Sequence, residues 1–264
     1  MKYRIKKRYL YKFLKKCRVL YDEQRIEILE DRWHIKGVDP AHACIVDQDL
    51  HKSAFERYTK RGLEDEKETI GVNIDWILDI LSLFKYEDVI QIDIDQEEHY
   101  MSLSSGNLQD NEMLLDTAGF TDFKVPSLKY AYKITNIENS DLRDIIKLIN
   151  RSEDHMYINI LDGERVQLRS PHDWEMRSTL ELDQDDEDIQ IKRLDEPDDE
   201  EHPGDTVECS FALDYLQDIS KSIHKNKTID QIKINQDYPM ELMIREEENQ
   251  IETRFLLAPR IETR

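Results

Sequence analysis

Asp93 and Asp95 in QIDIDQEE are the kind of carboxylate pair that a metal-dependent nuclease uses to hold a divalent cation. Alternate positions of a strand share one face, so the spacing permits that chemistry. An acidic solvent face on a sheet has the same pattern and is the commoner cause of it. Asp39 and His42 in VDPAHACIVDQDL are a second possible site, but no Ser, Cys or third partner completes a nucleophilic set beside them. Cys17, Cys44 and Cys209 are far apart with no CxxC, so neither a disulfide framework nor a zinc site is indicated. With 7 glycines and no Gly-rich loop, a nucleotide cradle is not indicated either. The expectation is a protein that is not an enzyme and that carries no cofactor and no metal.

The side chains left with a chemistry of their own are basic, and they recur at helical spacing. In residues 8–20, Leu10, Phe13, Leu14, Cys17 and Leu20 make an apolar stripe, and Arg8, Lys12, Lys15 and Lys16 are assigned to the opposite face. In 140–151 the stripe is Leu142, Ile145, Ile146 and Ile149, with Arg143, Lys147 and Arg151 across from it. In 211–224, Leu213, Leu216, Ile219 and Ile223 point inward, while Lys221, His224 and Lys225 face out near the C-terminal end. A Lys-rich outer face is usually only a solvated one, and Lys in a last turn suits the helix dipole. Its repetition in a strongly acidic chain gives it weight. Such bases hold phosphates without reading sequence, which permits sliding. The expected polyanion is duplex, on the reading that no aromatic sits among these bases to stack unpaired ones.

What must position those helices is a repeated unit. LDYLQDI (213–219) echoes IDWILDI (74–80), and the flanks match too: EDVIQIDIDQEEHYMSL (87–103) and TIDQIKINQDYPMELMI (228–244) align Ile92 with Ile232 and Ile94 with Ile234. Two units of like fold in one chain follow. Strands are expected at 25–38, 43–50, 89–94, 130–135, 156–161, 165–170, 178–183, 189–194, 232–237 and 240–245, joined by short polar turns that imply antiparallel sheets. Four helices, 8–20, 73–84, 140–151 and 211–224, fall two per repeat. The fold class is α+β, with an N-terminal domain 1–115, a connecting loop 116–127 and a C-terminal domain 128–264. The loop 195–205 is too charged to pack.

With 58 Asp and Glu against 37 Lys and Arg, the formal net charge is −21, which repels nucleic acid except where bases gather. No run approaches a membrane span, and MKYRIKKRYLYKFLKK lacks a signal-peptide cleavage site, so a soluble, cytoplasmic protein is expected.

FALDYLQDISKSI (211–223), FLLAPRIE (255–262), VDPAHACIVDQDL (38–50) and IGVNIDWILDIL (70–81) resemble, in order and nearly end to end, the sliding clamp family of archaea and eukaryotes, the proliferating cell nuclear antigen type. The resemblance implies a homotrimeric ring with sheets outside and four short helices per subunit lining a hole for duplex DNA. It also implies a processivity factor that tethers a DNA polymerase and other docking-motif proteins, loaded by a separate clamp loader, and nuclear if the source is eukaryotic. The alternative is a divergent paralogue: one subunit of a heterotrimer, or a platform that does not encircle DNA. In the family, partners dock in an apolar pocket, whose matching positions are Val38, His42 and Ile45, Val125 and Pro126 in the linker, Pro239, and Leu256, Leu257, Ala258 and Pro259 in the tail. Exposed apolar groups rimmed by charge fit a contact site, although Leu256 and Leu257 also read as a last strand in which alternation allows one of them to be core. Subunit contacts are implied near 110–116 and 177–183, where open sheet edges need covering. The sequence departs from the family pattern at three places. Asp75, Asp79 and Ser82 stand on the polar face of the second helix where lysines are usual, and Asp214 and Asp218 begin the fourth on the same face as its lysines, so DNA contact is expected to rest on the first and third helices. The linker is short, and ELDQDDED (181–188) loads a subunit edge with negative charge.

Overall fold

The computed structural model describes residues 1–20, 22–59, 67–120, 122–171, 178–183, 189–194 and 206–260. The chain divides into two units, Met1–Val125 with Arg245–Thr253, and Pro126–Ile244 with Arg254–Arg264. The cut falls inside the expected connector, most of which belongs with the first unit. The strip 245–253, expected with the C-terminal half, also groups with the first.

The first unit runs β1 (Lys2–Lys6), α1 (Lys7–Cys17), β2 (Glu23–Ile28), β3 (Arg32–Val38), β4 (Cys44–His51), β5 (Phe55–Thr59), β6 (Glu68–Asn73), α2 (Ile74–Ser82), β7 (Val89–Asp95), β8 (Tyr100–Ser105) and β9 (Leu108–Met113). Neighbouring strands are antiparallel throughout two rows, one with the order β5-β1-β7-β8-β9 and another with the order β4-β3-β2-β6. Strand alternation sends Ile90, Ile92 and Ile94 into the core, and helical spacing sends Leu10, Phe13, Leu14 and Cys17 of α1 and Ile74, Ile77, Leu78 and Leu81 of α2 to meet them. Tyr3 meets Trp33 edge-on at 5.0 Å between ring centroids. The Asn73 side chain caps α2 by accepting from the Trp76 N–H at 3.0 Å.

The second unit runs β10 (Tyr132–Thr135), β11 (Ile137–Glu138), α3 (Asn139–Ile149), β12 (His155–Leu161), β13 (Arg165–Arg169), β14 (Thr179–Asp183), β15 (Gln190–Arg193), β16 (Val207–Ala212), α4 (Leu213–Ser222), β17 (Thr228–Ile229) and β18 (Gln231–Ile234), and then β19 (Met240–Glu246) and β20 (Ile251–Leu257), each of which has residues assigned to both units. Its strand orders are β15-β10-β18-β19 and β14-β13-β12-β16. They match β5-β1-β7-β8 and β4-β3-β2-β6 strand for strand, so the echo in the sequence is a duplicated topology. The register agrees: Tyr3 lies opposite Ile92, and Ile134 lies opposite Ile232. Even the entry to the first helix repeats, with the Lys7 N–H donating to Asp88 O at 2.8 Å and the Asn139 N–H to Lys227 O at 3.0 Å.

All four expected helices are present, each shorter than its periodicity suggested. Residues 25–38 form not one strand but the β2–β3 hairpin. Strands β1, β5, β6, β8, β9, β11, β16 and β17 were not among those expected, and β20 was foreseen only at Leu256 and Leu257; β9, LQDNEM, is exposed along its whole length and so shows no apolar alternation. The charged loop 195–205 lies outside the described residues. Among the described residues, no helix is long and apolar enough to cross a membrane.

Candidate functional site

The acids that suggested metal chemistry hold local structure. Asp93 is 3.5 Å from the Lys2 ammonium, Asp95 accepts the Glu97 and Glu98 N–H groups at 3.0 and 3.1 Å, and no metal-binding cluster exists among the described residues. Asp39 is buried and accepts from the Ala41, Ala43 and Cys44 N–H groups at 2.9, 2.7 and 2.6 Å, fixing the turn that puts His42 at φ 57°. Burial pushes all three thiols up, Cys44 to about 12, as expected of inert core cysteines.

The bases of α1 correct the sequence reading. Lys16 is not on an exposed face: it is fully buried, its ammonium paired with Glu246 and donating to Lys12 O at 3.1 Å. Burial pushes its pKa down, against the pull of Glu246. Lys12 is half-buried and 2.7 Å from Glu247, whose pull together with that of Glu246 outweighs desolvation and raises the Lys12 pKa. Arg8 pairs with Glu87 at 3.1 Å and with Glu247 at 3.3 Å, Arg18 pairs with Asp75 at 2.9 Å, and Lys15 is half-buried. The strip 245–253 thus brings two acids to α1 that helical periodicity could not foresee, and much of the positive charge of this helix is neutralised. Aromatics do sit among these bases, contrary to expectation: Arg8 lies over the Tyr9 ring at 4.8 Å and Lys7 over the Tyr11 ring at 5.9 Å.

In the second unit Arg143 turns away from solvent to close the end of α4, donating from Nε and Nη2 to Ser220 O at 3.0 and 2.9 Å and from Nη2 to Ile223 O at 2.8 Å. Asn139 Nδ2 donates to the same Ser220 carbonyl at 3.0 Å. These are carbonyls that a helix C-terminus otherwise leaves orphaned. Lys147 and Arg151 of the α3 end, and Lys221, His224 and Lys225 of the α4 end, are exposed. The accessible bases among those singled out are therefore carried by the third and fourth helices, not by the first and third.

The docking residues are distributed over both units. In the first, Val38 and His42 line a cavity of about 230 Å³ together with Gln24, Arg25, Lys36, Pro40, Phe120 and Phe123. Ile45 and Val125 are half-buried and do not line it. Phe120 and Phe123 were missed, although two aromatics in the Gly- and Pro-containing stretch GFTDFKVP are an apolar signal inside a linker. In the second unit Pro126 is exposed, and Pro239, Ala258 and Pro259 are half-buried. Leu256 and Leu257, only 4% and 1% exposed, belong to β20, so both are core, where alternation allowed only one. Beyond them the tail is anchored by the Arg260 N–H to Ser210 O at 2.7 Å and by its guanidinium to Asp154 at 2.7 Å. The edges implied for subunit contact correspond to β9 and β14, each terminal in its sheet order; residues 177 and 184–188 lie outside the described residues.

No family model matches the chain. Its sequence is 28% identical over 246 residues to the DNA polymerase sliding clamp of Natronomonas pharaonis, covering 93% of this chain and 92% of that one. With the sliding clamp of Methanosarcina barkeri it is 29% identical over 247 residues, at the same coverage. Over nearly its whole length the chain is similar to the DNA polymerase sliding clamps. Its fold is theirs as well: A. fulgidus PCNA, in a structure bound to the C-terminal region of FEN-1, superposes with a TM-score of 0.81 at 22% identity, covering 100% of this chain and 99% of that one.

Proposed function

We propose that this chain is a DNA sliding clamp and polymerase processivity factor. Three copies close into a ring through the β9 and β14 edges, encircle duplex DNA, and tether replication and repair proteins by a short docking motif. The observation that carries the reading is the duplicated unit, β1-α1…α2-β7 and β10-α3…α4-β18, with its paired helices α1–α2 and α3–α4, in a chain alignable end to end with sliding clamps. The role is topological and breaks no bond. Polymerase dissociation is replaced by local rebinding at high effective concentration.

Phosphate contact rests on Lys147, Arg151, Lys221, His224 and Lys225, with Lys15 as a lesser contributor; Lys12, Lys16 and Arg143 hold structure. Contacts so few and so exposed give weak, salt-dependent, sequence-independent attraction, which a sliding ring requires. Val38, His42, Phe120 and Phe123, which line one cavity of the first unit, supply the docking surface. The protein acts where DNA is, in the cytoplasm at the nucleoid if the source is archaeal, and a loader opens it.

Absolute mass by light scattering across a salt series tests the ring. Three chains are expected. A monomer at every salt removes the homotrimer, and a mass of three restored only by another clamp subunit replaces it with a heterotrimer.

A further inference from the structure

Arg25 of β2 and Lys36 of β3 stand one step beyond the Ile26–Ile35 pair of an antiparallel hairpin. Like charges so placed repel, and two carboxylates compensate them. Glu27 lies 3.3 Å from Arg25, and Asp122 lies 3.2 Å from Arg25 and 3.3 Å from Lys36. The Lys36 ammonium also lies 5.2 Å from the centre of the Phe123 ring. The two cations are mostly covered, with side chains 13% and 19% exposed, whereas the Asp122 side chain is 70% exposed. The carboxylate therefore lies on the outside of a cationic pair that it bridges. It is carried by a segment with no strand or helix after the single turn Thr117–Gly119.

The cavity of about 230 Å³ opens beside this pair and has the apolar walls Val38, Pro40, Phe120 and Phe123. Its other acid, Asp39, accepts from three backbone N–H groups. An apolar hole next to two cations, under a displaceable carboxylate, defines a ligand with an apolar side chain and an adjacent acid.

We propose that Arg25 and Lys36 form an anion subsite for the docking peptide, which takes a Glu or Asp side chain flanking the peptide's apolar residue, with Asp122 as the internal stand-in that the peptide displaces. The inference deepens the docking reading above and rests on it. The incoming carboxylate sits deeper between the two cations than Asp122, which lies on their outside, so the exchange strengthens the ion pairs and releases the linker. A peptide with an uncharged residue there leaves Asp122 in place and gains nothing from the cations. On a surface of net charge −21 this pair is a local exception, so it selects which acidic peptides are held and in what register.

The test compares two fluorescein-labelled peptides with the same apolar and aromatic residues, one with Glu and one with Gln in the flanking position, by anisotropy against the full chain. The Glu peptide is expected to bind roughly tenfold tighter at low salt, with the preference collapsing near about 1 M salt, where the screening length is about 3 Å. Lys36→Met and Arg25→Gln, each checked for folding by circular dichroism, abolish the preference, and Asp122→Asn enlarges it. Equal binding of the two peptides to the unmodified chain overturns the anion subsite and leaves the docking reading standing. Binding of neither peptide overturns both. Because the central comparison uses the unmodified chain, a variant that fails to fold does not rescue the proposal.

Discussion

The Lys16 ammonium of α1 is paired with the Glu246 carboxylate, both side chains being almost wholly buried, at 1% and 4% exposure. An ion pair in such a place fixes α1 to the strip 245–253 within the first unit and is costly to break from one side. Lys16→Met alone, leaving Glu246 buried without its partner, is expected to cost about 3–5 kcal/mol in urea unfolding. The double variant Lys16→Met with Glu246→Leu is expected to recover most of that loss. DNA affinity of the folded double variant is expected to equal that of the parent; a loss of DNA binding there would return Lys16 to the interface.

Leu256 and Leu257 separate packing from docking. Both are buried in β20, so Leu256→Ala is expected to destabilise by about 2–5 kcal/mol through lost burial and the cavity left behind. Thermal or urea unfolding reads this directly. A variant of unchanged stability with selectively weakened partner binding would contradict the assignment.

Arg143 closes the C-terminal end of α4 with three hydrogen bonds to carbonyls. Arg143→Ala is expected to cost about 1.5–3 kcal/mol, since charge-assisted bonds are lost and Asn139 is left to serve the same carbonyls. Arg143→Lys restores part of it. Lys147→Glu and Arg151→Glu, at exposed positions nearby, are expected to leave stability within about 0.5 kcal/mol and to lower the salt slope of DNA binding instead.

Asp154 gives a pH signature. Hydrogen bonds from His155 and Arg260 hold its carboxyl down, to about 2 from an ordinary 3.8. A depressed acid contributes stabilisation that is complete above its unfolded value and fades as pH falls toward the folded one. The anchoring of the tail at Arg260 is therefore expected to be intact above about pH 4 and to weaken between there and pH 2. Hydrogen exchange of the Arg260 amide, bonded to Ser210 O, follows it. Asp154→Asn is expected to accelerate that exchange at neutral pH; an unchanged rate would show that the ion pair does not hold the tail.

Much of the fold was legible in the sequence because its signals are local and repeated. Ile77, Leu78 and Leu81, and Leu213, Leu216 and Ile219, carry the helical period, and Ile92 and Ile232 keep the strand register. What was not legible depends on partners far along the chain. Lys12 and Lys16 read as a solvated face until Glu246 and Glu247, some 230 residues away, came to meet them. Arg143 read as a DNA contact because a guanidinium at helical spacing looks the same whether it faces water or a neighbouring helix end. Phe120 and Phe123 were lost in a segment judged by its Gly and Pro alone. Strand β9 lacked any apolar alternation because its side chains are all exposed in the single chain.

The claim at the centre is that the ring surrounds duplex rather than adhering to it. Linear duplex carrying biotin at both ends is mixed with the protein at micromolar concentration, and streptavidin is added either before or after the protein to block the ends. In about 0.5 M salt, where phosphate contacts are screened, the account predicts that protein stays on DNA capped afterwards and never accumulates on DNA capped beforehand. Equal retention in the two orders, or none in either, would contradict encirclement.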